Sequence, residues 1–151
     1  MKKILPFAVM WLATIVLSAL MAHLLELRGK MNLSEENYFT VQSIYNGWAW
    51  IGIIEIVVMV LLLTWIISSR KQRALLVYLL FSFICFASGL IVFFIYTFPA
   101  NQQTLNWTAR PGNWAKLRIK WEYSHAGHAI LYLLGFSSLI AGLLKKSKHI
   151  L

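Results

Sequence analysis

Charge is scarce in this chain. Only 13% of its 151 residues are charged and just five are acidic, where a soluble domain carries about a quarter. Together with 60% hydrophobic residues and a mean hydropathy of +0.68, this excludes an ordinary soluble enzyme or binding module. Cysteine is almost absent too. The single Cys85 rules out an intramolecular disulfide, a CxxC redox pair and a thiolate metal cluster. Set between Ile84 and Phe86, it reads as a small packing residue and gives no redox compartment. No internal repeat or low-complexity tract is present.

What the chain does have is four long apolar runs, at about 4–25, 47–67, 74–98 and 123–144. Each is long enough to cross a hydrocarbon core about 30 Å thick. They predict an all-α, integral membrane four-helix bundle that fills the chain as one domain, 1–151. The start, Met1-Lys2-Lys3 and then an apolar run, has the shape of a signal peptide. Its run exceeds the usual 7–15 residues, and 18–22 offers no clean small-x-small site, so it reads as the first span. Pro6 lies in the first turn, where a missing N–H costs nothing.

The net charge of +9 invites a nucleic-acid reading, and its placement argues against one. Lys2, Lys3, Arg70, Lys71, Arg73, Lys145, Lys146 and Lys148 all flank span ends on one side. Basic residues in short flanks mark the cytoplasmic side. Both termini and the 68–73 turn are therefore expected inside, in what reads as a bacterial inner (plasma) membrane. The longer loops 26–46 and 99–122 fall outside, with six basic residues mixed among four glutamates.

Within the outer loops, Gly29 is a plausible stop for the first helix and Ser34-Glu35-Glu36-Asn37 a helix start. The 38–45 stretch reads as a short interfacial helix. Trp48 and Trp50 open the second span and Trp65 closes it, as aromatic belts do. Ser82, Cys85, Ser88 and Gly89 form a small-residue face on the third span, suited to close helix packing. Pro111-Gly112 is a turn, and Asn113 caps a last helix starting near Trp114.

Six polar side chains fall in the same half of the bilayer. They are His23 on the first span, Glu55 on the second, and Arg118, Glu122, His125 and His128 on the fourth helix. Glu55 sits seven residues past Trp48, roughly 10 Å below the outer interface, and His128 is equally deep relative to Trp121. Ionisable groups at that depth are costly unless paired or solvated, which makes them functional by default. Arg118, Glu122, His125, Ala129, Tyr132 and Phe136 share one helical stripe. The third span adds only Tyr96 and Thr97. Glu122-x-x-His125 has the spacing of bundle carboxylate metal sites, but occurs once where di-iron bundles use it twice.

Blander readings exist for each residue. Glu55 could simply pair with Arg118 or a histidine, Arg118 and Glu122 could be solvated at the headgroups, and His23 could be an interfacial hydrogen-bonding histidine. His149 in the tail carries no role. Trp107, Trp114 and Trp121 are spaced by seven; an interfacial anchor is the simpler reading, a roof over a flat ligand the alternative. Acid–base chemistry is favoured slightly over a metal or haem site.

Phe98-Pro99-Ala100-Asn101, Trp107 and the run 114–126, WAKLRIKWEYSHA, together resemble the signature of a four-span membrane family that includes the fungal anthrone oxygenases. Val41–Tyr45 with Gly47 and Gly52 to Glu55 is similar to its second-span entry. The resemblance implies oxidation of an activated aromatic carbon by molecular oxygen without a dedicated organic cofactor. Asn101, Arg118, Trp121, Glu122 and His125 match the motif; His23 and His128 lie outside it.

The expectation is therefore an oxygenase-like membrane oxidoreductase acting on a small hydrophobic aromatic or quinol-like molecule. Glu55 or His125 would be the base, and Arg118 would stabilise the resulting anion. Asn101, Trp121 and Tyr132 would bind substrate. His23, Glu122, His125 and His128 are the residues that could hold a metal. The cofactor is either none, or a divalent metal or haem. The rival is a non-catalytic subunit or ligand-binding protein whose polar layer holds metal, haem or lipid. Partners are the hydrophobic ligand and membrane lipids, not nucleic acid, with a homo-oligomer left open.

Overall fold

The computed structural model describes residues 3–147. It is all-helical: α1 (Ile4–Met31), α2 (Glu35–Gln42), α3 (Ala49–Ser68), α4 (Arg73–Val92), α5 (Phe98–Gln103) and α6 (Trp114–Ser147). A single 3-10 turn, Ser43–Tyr45, follows α2, and a π turn, Phe93–Thr97, joins α4 to α5. Lys2, Lys148 and His149 lie outside the described residues. Four helical segments are long and apolar enough to cross a membrane. They close a ring in which α1 packs on α3 and α6, and α4 packs on α3 and, most extensively, on α6.

Each helix buries one stripe at three- and four-residue spacing, the pattern that keeps side chains on one face. On α1 the stripe is Val9, Ala13, Val16, Leu20, His23 and Lys30; on α3 it is Glu55, Val58, Leu62 and Trp65. Apolar members form one core with Leu75, Leu79 and Phe86 of α4 and Ala129, Tyr132 and Leu139 of α6. The polar residues thus occupy core positions of regular stripes. Trp65, expected in an aromatic belt, belongs to that core and is only 3% exposed.

The end toward the α3–α4 turn is packed tightly. A methyl group on Gly135 would lie 2.6 Å from Phe86, and one on Gly142 would lie 2.9 Å from Tyr78. Ser82 Oγ reaches the Gly135 carbonyl at 2.8 Å, so the small-residue face brings α4 against α6 as expected.

At the other end three helices overrun the shorter α3. The α1 helix continues past Gly29 to Met31, because its extra turn carries Lys30 into buried partners. The third long helix runs on past 98. Pro99 cannot continue an α ladder, and the wide π turn ahead of it absorbs the mismatch, burying Thr97 against Ser124 at 2.7 Å.

The short α2 starts at the expected cap, with Ser34 Oγ accepting from the Asn37 N–H at 3.4 Å. It buries Tyr38, Phe39 and Gln42 over the bundle end and leaves Glu35, Glu36, Asn37 and Thr40 exposed on its other face. Leu105, Asn106 and Trp107 all have positive φ, a conformation that costs non-glycine residues about 1–2 kcal/mol each. The Thr104 hydroxyl accepts from the Trp107 N–H at 3.1 Å, holding this turn so that the indole is buried.

Candidate functional site

The deepest polar pair joins α3 to α6. Glu55 Oε1 lies 2.8 Å from His128 Nε2, and both residues are buried. Gly89 of α4 makes this possible: a methyl group there would sit 2.2 Å from the His128 ring. The small face of α4 was expected to serve packing alone. At Gly89 it also seats the imidazole.

One turn outward, His125 stacks on His23 of α1 with ring centroids 4.3 Å apart. Trp121 closes on both, at 4.2 Å from His125 and 5.0 Å from His23. Its indole N–H donates to Asn101 Oδ1 at 2.7 Å. Asn101 and Trp121 are therefore hydrogen-bonded to each other beside His125.

Behind His23 lies Lys30, only 3% exposed. Its ammonium lies 3.0 Å from Glu122 Oε2, a charge contact lacking aligned hydrogen-bond geometry. It also reaches His23 Nδ1 at 3.4 Å and donates to the Tyr45 hydroxyl at 3.3 Å. Glu122 accepts from the Tyr38 hydroxyl at 3.0 Å and from Gln42. Tyr45 in turn donates to Glu26. Burial, reinforced by Glu122 at Tyr38 and by Glu26 at Tyr45, pushes both phenols well above the ordinary tyrosine range. Both stay protonated and act as donors.

The Glu55–His128 pair, His23, His125 and Trp121 border a cavity of about 680 Å³, within the usual range for small-molecule sites. His23, Glu55, His125, His128 and Asn101 lie on its polar wall; Trp107, Trp121, Phe93 and Phe98 are aromatic lining. Trp107 and Trp121 line the cavity, whereas Trp114 does not. All three tryptophans belong to a satellite cluster with Tyr38 and Phe39, in which Trp107 and Trp121 are buried and Trp114 packs at the edge.

Four expectations need correction. Arg118 is not beside the cavity: Nη1 donates to the Leu33 carbonyl at 2.9 Å, and the guanidinium lies over Trp114 and Tyr38. It sits in the second turn of α6, too far out to reach the layer, and Lys30 is buried there instead. Tyr132 is fully buried against Phe86, its hydroxyl without a partner, and does not line the cavity. Glu122 also lies outside it, engaged with Lys30. His23, Glu122, His125 and His128 do not form a metal centre: among the described residues no three His, Cys, Asp or Glu side chains converge as ligands. Glu122 faces Lys30, and His128 faces Glu55.

The residue that sequence reading missed is Lys30. Its signal was present, since His23, Glu26 and Lys30 follow three- and four-residue spacing on one face. An expected helix end at Gly29 hid it. Compared with family models, curated proteins and solved structures, the chain matches none.

Proposed function

We propose that the chain is an integral membrane protein with both termini cytoplasmic, and that its cavity takes a small hydrophobic aromatic or quinol-like molecule in the outer half of the bilayer. Large apolar side chains exposed around the bundle, among them Phe7, Val60, Ile67, Ile84, Ile91 and Leu144, suit lipid contact. The basic flanks support the orientation. Single cysteines at Ser34→Cys and Ser147→Cys in a Cys85→Ala background test it. Labelling of position 147 from outside would overturn it.

The activity proposed is that of an anthrone-oxygenase-like oxidoreductase working by acid–base chemistry. The observation that carries it is the buried Glu55–His128 pair set in the wall of an aromatic cavity. With His128 donating from Nε2, Glu55 keeps a second oxygen able to take a proton from an activated ring carbon. His125 is the second acid–base group. Molecular oxygen, the oxidant the 98–126 resemblance implies, would accept the carbanion's electrons. One oxygen atom ends as a carbonyl on that carbon and the other leaves as water.

Oxygen uptake with anthrone as probe, in purified protein, tests this. Glu55→Gln and His125→Ala should abolish uptake while melting stays cooperative, and His149→Ala should leave it unchanged. Equal behaviour of the His125 and His149 variants would mean that the polar layer is structural.

A further inference from the structure

Two side chains on the cavity wall have hydrogen-bonding states fixed by neighbours that can only donate. A lysine ammonium has three donors and no acceptor. Lys30 approaches His23 at Nδ1, so Nδ1 must accept, and a neutral His23 carries its proton on Nε2, across the ring. An indole N–H is likewise donor-only. Trp121 donates to Asn101 Oδ1, which fixes the orientation of the amide and identifies its other end as the NH₂ group, with two donors. Both residues line the cavity, and Trp121 touches both.

Among the described residues no protein acceptor is hydrogen-bonded to either His23 Nε2 or Asn101 Nδ2. Glu55, paired with His128, lines the same cavity and supplies it with a carboxylate acceptor. We infer that His23 and Asn101 form a subsite for an acceptor oxygen, a carbonyl or phenolate on the edge of a flat aromatic ligand, and that Lys30 and Trp121 are the positioning residues that preset it. This rests on the cavity reading proposed above and adds what the ligand must carry. A neutral subsite of two N–H donors, held by partners that themselves only donate, favours an acceptor over a hydrocarbon edge.

The probes are 9-fluorenone and fluorene, flat tricycles that differ at one carbon, carbonyl against methylene. Binding to the full-length protein in detergent is measured by titration calorimetry, with each probe's micelle partitioning subtracted. The expected result is about tenfold tighter binding of fluorenone, the scale of one to two net hydrogen bonds. His23→Phe and Asn101→Asp should each reduce the preference severalfold while fluorene binding persists. The aspartate keeps an oxygen for Trp121 and removes the donors, so it separates the subsite from folding. In protein labelled with ¹⁵N-histidine, His23 should show its proton on Nε2, and Lys30→Met should release that tautomer preference.

Equal binding of the two probes, or a preference untouched by both substitutions, would overturn the subsite and leave the cavity reading standing. A His23 proton resident on Nδ1 would also overturn it. Binding of neither probe would remove the cavity reading and the subsite with it.

Discussion

Toward the α3–α4 turn, α4 and α6 meet through Ser82, Gly135 and Gly142 with no room for a methyl group. Toward α2, the same stripes that supply Val9, Val16, Val58 and Leu139 to the core supply His23, Lys30, Glu55 and His125 instead. There the helices border a cavity. One end is packed to density, where side-chain volume decides. The other is satisfied by pairing, where the loss of a single partner strands a buried polar group. Substitutions should therefore fail differently at the two ends.

The largest effect is expected at Lys30. Lys30→Met leaves Glu122, fully buried, without its cation. Breaking a buried pair from one side costs about 3–5 kcal/mol. Adding Glu122→Gln should recover most of that loss, because Tyr38 and Gln42 can still hydrogen-bond the neutral side chain. Denaturant unfolding of the two variants decides it. A single substitution that costs under about 1 kcal/mol, as exposed pairs do, would show that the pair is not isolated from water.

Glycines separate the two ends most directly. Gly89→Ala drives a methyl group into His128 and should cost about 1–3 kcal/mol as overpacking does, with anthrone turnover lost because the Glu55 contact is displaced. Gly135→Ala should cost a similar amount through Phe86 but spare turnover. Gly52→Ala meets nothing within 4 Å and should be neutral or slightly stabilising, as alanine is the better helix former. If Gly135→Ala abolished turnover while Gly89→Ala did not, the division of the bundle would be wrong.

This division explains what the sequence could reveal. The stripes were legible because burial repeats every three or four residues, and His23, Glu55, His125 and His128 fall on that repeat. Meeting at one level follows from helix rise and alternating direction, so the layer was readable before any contact was known. Pair identities were not. Whether Glu55 faces His125 or His128 depends on a glycine from a third helix, which no spacing on α3 or α6 encodes. The places of Arg118 and Lys30 were hidden for a similar reason. Arg118 lies on the expected stripe but a turn too far out, while Lys30 needed a helix that continued through Gly29. Trp107 reaches the cavity through three left-handed residues, and neither Leu105 nor Trp107 announces such a turn.

A smaller effect appears only in alkali. Tyr45 and Tyr38 hold their protons above the ordinary range. A group whose folded pKa is raised gives stability that is complete below its unfolded value, about 10 for tyrosine, and is lost as pH climbs toward the folded value. Unfolding free energy should thus fall above about pH 10, by up to about 1.4 kcal/mol per pH unit for each phenol. Tyr45→Phe should shallow that slope without removing it, because Tyr38 remains. Unfolding curves from pH 8 to 11 that are parallel for the two proteins would contradict the burial of Tyr45.

The smallest effect is expected at Arg118, and it sharpens the boundary of the cavity. Its guanidinium ties the start of α6 to the Leu33 carbonyl and lies over Trp114. Lysine keeps the charge but gives up the planar fork and stacking surface. Arg118→Lys should then cost about 1 kcal/mol, the value of one hydrogen bond, and loosen the connection between α1 and α2. Anthrone turnover, if that fails with His125→Ala, should stay within about twofold here, since no atom of Arg118 lines the cavity. The measurement is the paired turnover number and melting temperature of the two variants. A turnover loss in Arg118→Lys as large as in His125→Ala, with unchanged melting, would return Arg118 to the site as the anion-stabilising group.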